Sequence, residues 1–133
     1  MQANKGKNTK PEIALRSLVH ALGYRFRIHD RSLPGTPDLA FSRRRKVIWS
    51  HGCWWHLHPG CRSVVIPKTR TEFWAQKLKR NRQRDVEHQV RLKEMGWDYL
   101  IIWECEMKDP AAVQKRVAEF LGPTRHLKLG KPS

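Results

Sequence analysis

Apolar residues fall into two rhythms along this chain, and each rhythm predicts an element. Leu15, Leu18, Val19 and Leu22 recur at the spacing of one helix face. Thr9 can cap that helix, Pro11 suits its first turn, Glu12 can close a capping box, and Gly23 stops it. The rhythm then changes to alternation. In "YRFRIH", Tyr24, Phe26 and Ile28 face one way and Arg25, Arg27 and His29 the other, as in a strand with one buried face. "SLPGTP" is turn chemistry, and "DLAFS" and "KVIWS" read as two further strands joined by Arg43-Arg44-Arg45. No rhythm is visible from His51 to Arg70. A long helix opened by a threonine is expected over Thr71–Met95, bending near Asn81 where apolar residues thin out. "WDYLIIW" is the most apolar run and predicts an inner strand. Asp109-Pro110 starts a final helix with Val113, Val117, Phe120 and Leu121 inward. Helix, three strands, helix, strand, helix is the order of an α/β sandwich with a mixed sheet. The expected organisation is a flexible arm over 1–8, one domain over 9–122 and a flexible tail over 123–133.

Charge narrows the partners. The 133 residues carry 27 Lys+Arg against 12 Asp+Glu, a formal net charge of +15. Such a surplus points to a polyanion, and nucleic acid is the commonest. No apolar run approaches the roughly 20 residues of a spanning helix. The N-terminus lacks the apolar segment of a signal peptide, so the expectation is a cytoplasmic protein with no membrane partner. The three cysteines, Cys53, Cys61 and Cys105, do not suggest a disulfide framework. They are either separate thiols or thiolate ligands.

The arrhythmic stretch "HGCWWHLHPGC", His51–Cys61, concentrates the candidate chemistry. Cys53, His58 and Cys61 are spaced so that one loop can wrap an ion, and Cys105, just after the last strand, can be the fourth ligand of a Cys3His zinc site. His51 or His56 can replace His58 in that set, and Cys105 can instead be a plain buried thiol. Asp38 follows "LPGTP" and opens a strand. It reads either as a carboxylate held rigidly at a cleft or as ordinary turn chemistry. Trp54 and Trp55 sit where burying two indoles is awkward, Trp74 lies on a plausible apolar helix face, and Trp49, Trp97 and Trp103 belong to strands and predict core. Lys68, Arg70, Lys77, Lys79, Arg80, Arg82 and Arg84 form a dense basic face, with Asn81 among them as a possible polar contact to DNA.

"SLPGTPD", "HGCWWHLHPGC", "TRTEFW" and "GWDYLIIWEC" occur in the order found in the very short patch repair (Vsr) endonucleases, and the chain resembles that family from about Asn8 to Glu106. The resemblance implies a restriction-endonuclease-like fold, a central mixed sheet flanked by helices with a structural zinc site. It implies a bacterial, nucleoid-associated, monomeric enzyme that nicks one strand beside a T·G mismatch by Mg²⁺-dependent hydrolysis, alongside mismatch-repair proteins. By that likeness Asp38 is the catalytic aspartate and a Mg²⁺ ligand, His56 activates water, His51 is a second histidine near the phosphate, and Glu12 is a helix-borne glutamate at the site. Cys53, His58, Cys61 and Cys105 are the zinc ligands. Trp54, Trp55 and Trp74 wedge into DNA at the mismatch, where Lys68, Arg70 and Asn81 can contact it.

The physical reasons stand beside the likeness. A neutral histidine can take a proton from water near pH 7, and a divalent ion can polarise a phosphate. Inserted indoles offset unstacking, which costs less at a mismatch. Related nucleases place an acid and a lysine after the second strand. Here that place reads Ser50-His51-Gly52, so the resemblance implies the Ser50 backbone carbonyl as a metal ligand. The short arm before the first helix implies weaker minor-groove contacts. Two other readings compete: a restriction-type DNA endonuclease without mismatch specificity, and a zinc-stabilised DNA-binding module without catalysis.

Overall fold

The computed structural model describes residues 9–124. The arm and all but Pro123 and Thr124 of the tail lie outside the described residues. The element order is α1 (Lys10–Ala21), β1 (Arg27–Ile28), β2 (Leu39–Phe41), β3 (Lys46–His51), α2 (Thr71–Glu94), β4 (Asp98–Trp103), a 3-10 helix (Glu104–Lys108) and α3 (Pro110–Leu121). The helices and strands follow the expected order. The 3-10 helix has no counterpart in the sequence pattern.

One mixed sheet runs in the order β1-β2-β3-β4. The first two pairings are antiparallel, and β3 and β4 are parallel from Lys46↔Asp98 to His51↔Trp103. Strand alternation sorts the side chains into two cores. Leu39, Phe41, Ile48 and Ile102 pack with Leu15 and Val19 of α1 and Val113, Val117 and Leu121 of α3. Ala40, Val47 and Trp49 pack on the other face with Leu33 and with Leu92 of α2. Each large side chain so buried contributes about 1.5–3 kcal/mol. The sheet is thus the middle of three layers, with α1 and α3 on one face and α2 on the other.

Local chemistry explains the helix ends, with one correction. The Thr9 hydroxyl accepts from the Glu12 N–H at 3.4 Å, and Asp109 accepts from the Ala112 N–H at 3.3 Å. Thr71 does not cap α2. The cap position is Arg70, in the left-handed region at φ 56°, while the Thr71 hydroxyl donates to the carbonyls of Pro67 and Lys68 at 2.8 and 2.9 Å. Those bonds tie the helix to the preceding turn.

Three further expectations are corrected. The alternating stretch Tyr24–His29 forms a strand over Arg27–Ile28 alone, and Ile28 is 44% exposed rather than inward. Tyr24 is buried as expected, but it lies ahead of the strand, with its hydroxyl donating to the Gly122 carbonyl. The run "WDYLIIW" forms β4 at an edge of the sheet, not inside it. Its apolar character on both faces reflects helices packed above and below. Trp103 is not a plain core residue: its ring stacks on His58 with centroids 4.1 Å apart.

Candidate active site

The turn that delivers Asp38 is pinned from two sides. Gly35 has φ +73°, and a Cβ there would come within 3.0 Å of both the His88 ring of α2 and the Trp49 ring of β3. Only glycine lets the turn press that closely. The Trp49 indole N–H also donates to the Gly35 carbonyl at 3.4 Å. Asp38 therefore leaves the turn at a fixed position beside the end of β3, where Ser50 N–H donates to its Oδ2 at 2.6 Å. Burial pushes the Asp38 carboxyl up to about 6, and the neighbouring Glu12 carboxylate adds to that rise against the Ser50 hydrogen bond.

Asp38, Ser50, His51 and His56 line one cleft, whose other wall is α2 through Asn81, Arg84, Asp85 and His88. His51 and His56 stack with ring centroids 3.8 Å apart and planes 5° from parallel. His56 Nδ1 is hydrogen-bonded to Asp85 Oδ2 at 2.7 Å. His51 lies in the cleft floor at 6% exposure, its Nδ1 buried without a hydrogen-bond partner. Burial, helped by His56, pushes its imidazole down to about 3, so it stays neutral across the working pH range. Leaving that nitrogen unpaired costs about 1–3 kcal/mol.

Glu12 reaches the same region from the first turn of α1. Its carboxylate is not turned back to close the capping box. It binds Arg16 at 3.1 Å and His29 Nε2, and the Glu12, His29 and Asp38 ligand atoms lie within 4.8 Å of one another.

The loop after β3 coils on itself. His56 N–H donates to the Gly52 carbonyl at 3.1 Å and His58 N–H to the Cys53 carbonyl at 2.9 Å. The ligand atoms of Cys53, His58, Cys61 and Cys105 are brought within 4.8 Å of one another, a set that can hold a metal ion. His58 Nδ1 is 3.6 Å from Cys105 Sγ. His58 therefore sides with the cysteines, while His51 and His56 group with Asp85. Burial pushes the Cys53 thiol up to about 12, whereas hydrogen bonds from Ser63 draw Cys61 down to about 6.

Trp54 and Trp55 of this loop join Trp74 of α2 in a half-buried cluster with centroids 4.8–6.4 Å apart. Trp54 donates to the Val65 carbonyl at 2.9 Å, and Asn81 donates to the Trp55 carbonyl at 3.3 Å. Lys68 and Arg70 are exposed, and the Arg70 guanidinium lies 4.3 Å from the Phe73 ring centroid.

Two residues of the site are not marked by the sequence pattern, Asp85 in the cleft and His29 beside Glu12 and Asp38. Asp85 is one turn beyond Asn81 on α2, and that i,i+4 spacing is the signal that identifies it. The alternation predicts His29 as an outward residue of a strand. Its φ of 47° instead carries it out of the ladder beside Glu12.

The family profile described as "DNA mismatch endonuclease Vsr" matches residues 1–63. The DNA mismatch endonuclease Vsr of Escherichia coli (strain K12) is 44% identical over 108 residues, covering 81% of this chain and 69% of that protein. The chain belongs to the Vsr family of DNA mismatch endonucleases. It is therefore a DNA endonuclease, a hydrolase of mismatch repair. Other Vsr-like relatives include the type II nicking enzyme V.XorIIP of Xanthomonas oryzae pv. oryzae, 46% identical over 124 residues (93% of this chain, 90% of that protein). V.NmeAIP of Neisseria meningitidis serogroup A is 36% identical over 111 residues (84% and 79%).

Proposed function

We propose that this Vsr-family endonuclease nicks one DNA strand beside a T·G mismatch, with His56 as the base that activates water and Asp38 as ligand to a catalytic Mg²⁺. The observation that carries this reading is the His56–Asp85 pair facing the same cleft as Asp38. Asp85 accepts from Nδ1 and so selects the tautomer whose Nε2 is free to accept a proton from water. The parallel ring of His51 fixes the plane in which that nitrogen points. His51 remains uncharged beneath it and does not compete for the proton.

The donor set suits a divalent ion. Two carboxylates, Asp38 and Glu12, share a partly buried space, and the Ser50 carbonyl stands at the adjoining strand end. When bound by Asp38 and the Ser50 carbonyl, Mg²⁺ supplies Lewis-acid polarisation of the phosphate. The second set, Cys53, His58, Cys61 and Cys105, suits zinc. In a tetrahedron with bonds of about 2.0–2.1 Å to nitrogen and about 2.3 Å to sulfur the nitrogen–sulfur edge is about 3.6 Å, and the His58–Cys105 separation of 3.6 Å matches such an edge. Zinc there has a positioning role, because His56 of the cleft belongs to the same loop and His51 ends the strand that leads into it.

Trp54, Trp55 and Trp74 serve as the wedge, a half-exposed aromatic group placed beside the basic start of α2. Lys68 and Arg70 flank it and suit phosphate contacts, and Asn81 ties the wedge loop to α2. The restriction-endonuclease-like fold belongs to this reading, supported by the mixed sheet between helices with the cleft at its strand ends. So do the bacterial cytoplasm as the place of action, monomeric action, and work alongside mismatch-repair proteins.

A second reading, an endonuclease that does not require a mismatch, draws on relatives that are named type II nicking enzymes. The deciding experiment is nicking of a T·G duplex beside its matched control, with Mg²⁺. Cleavage of the mismatched duplex alone is expected. Equal cutting of both sinks the mismatch reading in favour of the second one.

A further inference from the structure

His29 is not used by the chemistry described so far, although it adjoins Glu12 and Asp38. Three elements build this cluster. Glu12 comes from the first turn of α1 at 4% exposure, His29 directly follows β1, and Asp38 directly precedes β2. The His29 N–H donates to the Asp38 carbonyl at 3.2 Å, which holds the two residues opposite each other where the two strands meet. His29 adopts φ 47°, a region uncommon for residues other than glycine and typical of functional sites when the surrounding structure enforces it. That turn of the backbone brings Nε2 onto the Glu12 carboxylate.

Resting on the reading that Asp38 holds the cleavage-site cation, we propose that His29 Nε2 and the Glu12 carboxylate are further ligands of that cation, giving a mixed carboxylate–imidazole site that takes Mg²⁺ and holds Mn²⁺ or Co²⁺ more tightly than oxygen ligands alone would. The ligand atoms are already within 4.8 Å of one another, so small side-chain movements suffice to enclose an ion. Charge agrees with this. Arg16 supplies one positive charge beside Glu12 against the two carboxylates. A divalent ion then leaves one positive charge over, which the single negative charge of a phosphodiester balances.

The donor type sets the relative affinities. Mg²⁺ dehydrates reluctantly and takes oxygen ligands, whereas a ring nitrogen raises affinity along the series from Mn²⁺ to Co²⁺. In the ion-free cluster the imidazole is hydrogen-bonded to Glu12, and a bound cation would take the place of that hydrogen bond.

The test uses the zinc-loaded full chain without DNA, titrated with Mn²⁺ and read by electron spin echo envelope modulation. The wild type is expected to show nitrogen coupling from a directly bound imidazole, and His29→Gln to lose it. His29→Gln should also weaken Mn²⁺ by about 10-fold or more while changing Mg²⁺ affinity less. A wild type without nitrogen coupling overturns the proposal, as does coupling that survives in His29→Gln, which would place the nitrogen on His51 or His56. Asp38→Asn separates the two levels. Unchanged Mn²⁺ affinity in that variant overturns the underlying reading of Asp38. Loss of binding there, together with surviving coupling in His29→Gln, overturns only the role of His29.

Discussion

Asp38 holds its proton to about pH 6 in the folded chain, against an ordinary value of 3.8. Between those values the folded state binds more protons than the unfolded one, so this residue makes the ion-free protein less stable as pH rises through that window. Above pH 6 the charged, buried carboxylate costs on the order of 3 kcal/mol. Asp38→Asn should therefore raise the Tm of the protein measured without divalent ions at pH 8, and change it little at pH 4, while abolishing nicking. Thermal melts at the two pH values check this, and an equal effect at both would show that the carboxylate is not held against its charge. Asp85 acts differently, because it touches His56 rather than the reacting atoms. Asp85→Asn should lower kcat by about 10²–10⁴-fold through loss of the oriented base, with affinity for mismatched duplex retained. Single-turnover nicking at saturating enzyme reads this directly. A pH–rate profile that keeps the wild-type shape would argue against an effect through His56.

Elements differ in how much of them the sequence discloses. The first and last helices are legible from end to end, because Thr9 and Asp109 cap them and Leu15, Val19, Val113 and Val117 all turn to the same core. The strand order is legible too, but not the place of β4. An apolar run reads alike whether strands flank it on both sides or helices cover it above and below. Ile28 misleads for a related reason. Alternation predicts burial only while a strand continues, and here the ladder ends with it. The metal cluster is visible as spacing, since most of it lies within one short loop. The rest of the site is less so, because Asp85 reaches the cleft, and His29 the Glu12–Asp38 cluster, from elements whose packing no local pattern encodes. The long helix α2 couples these pieces: Trp74, Asn81 and Asp85 all stand on it, and fully buried Leu78 fixes it between them. Leu78→Ala should cost about 2–5 kcal/mol, measurable as a lower urea midpoint. Activity at low temperature should fall with it if α2 sets the register of wedge and base. Full activity in a destabilised variant would separate the two.

For the molecule as a whole, charge decides the behaviour at a distance. With a net charge of +15, encounter with DNA is driven by counterion release, and affinity should fall steeply and log-linearly with salt. Lys68→Ala and Arg70→Ala should each reduce that slope by about 1 and weaken matched and mismatched duplexes alike. A loss confined to the mismatched duplex would make either residue a reader of the lesion instead. Among the described residues no helix is long and apolar enough to cross a membrane. The parallel pairing of β3 with β4 carries one more consequence. Their last registered residues are His51 and Trp103, and the candidate metal ligands His58 and Cys105, 47 positions apart, meet just beyond that end. Pairing such strands requires the chain to close a long loop through α2 before any contact rewards it, which makes this a slow step of folding. An ion caught between the two ends would act as a clasp on that loop. Refolding with zinc present from the start should then outpace refolding with zinc added late, and the nuclease would become competent only after its clasp is shut.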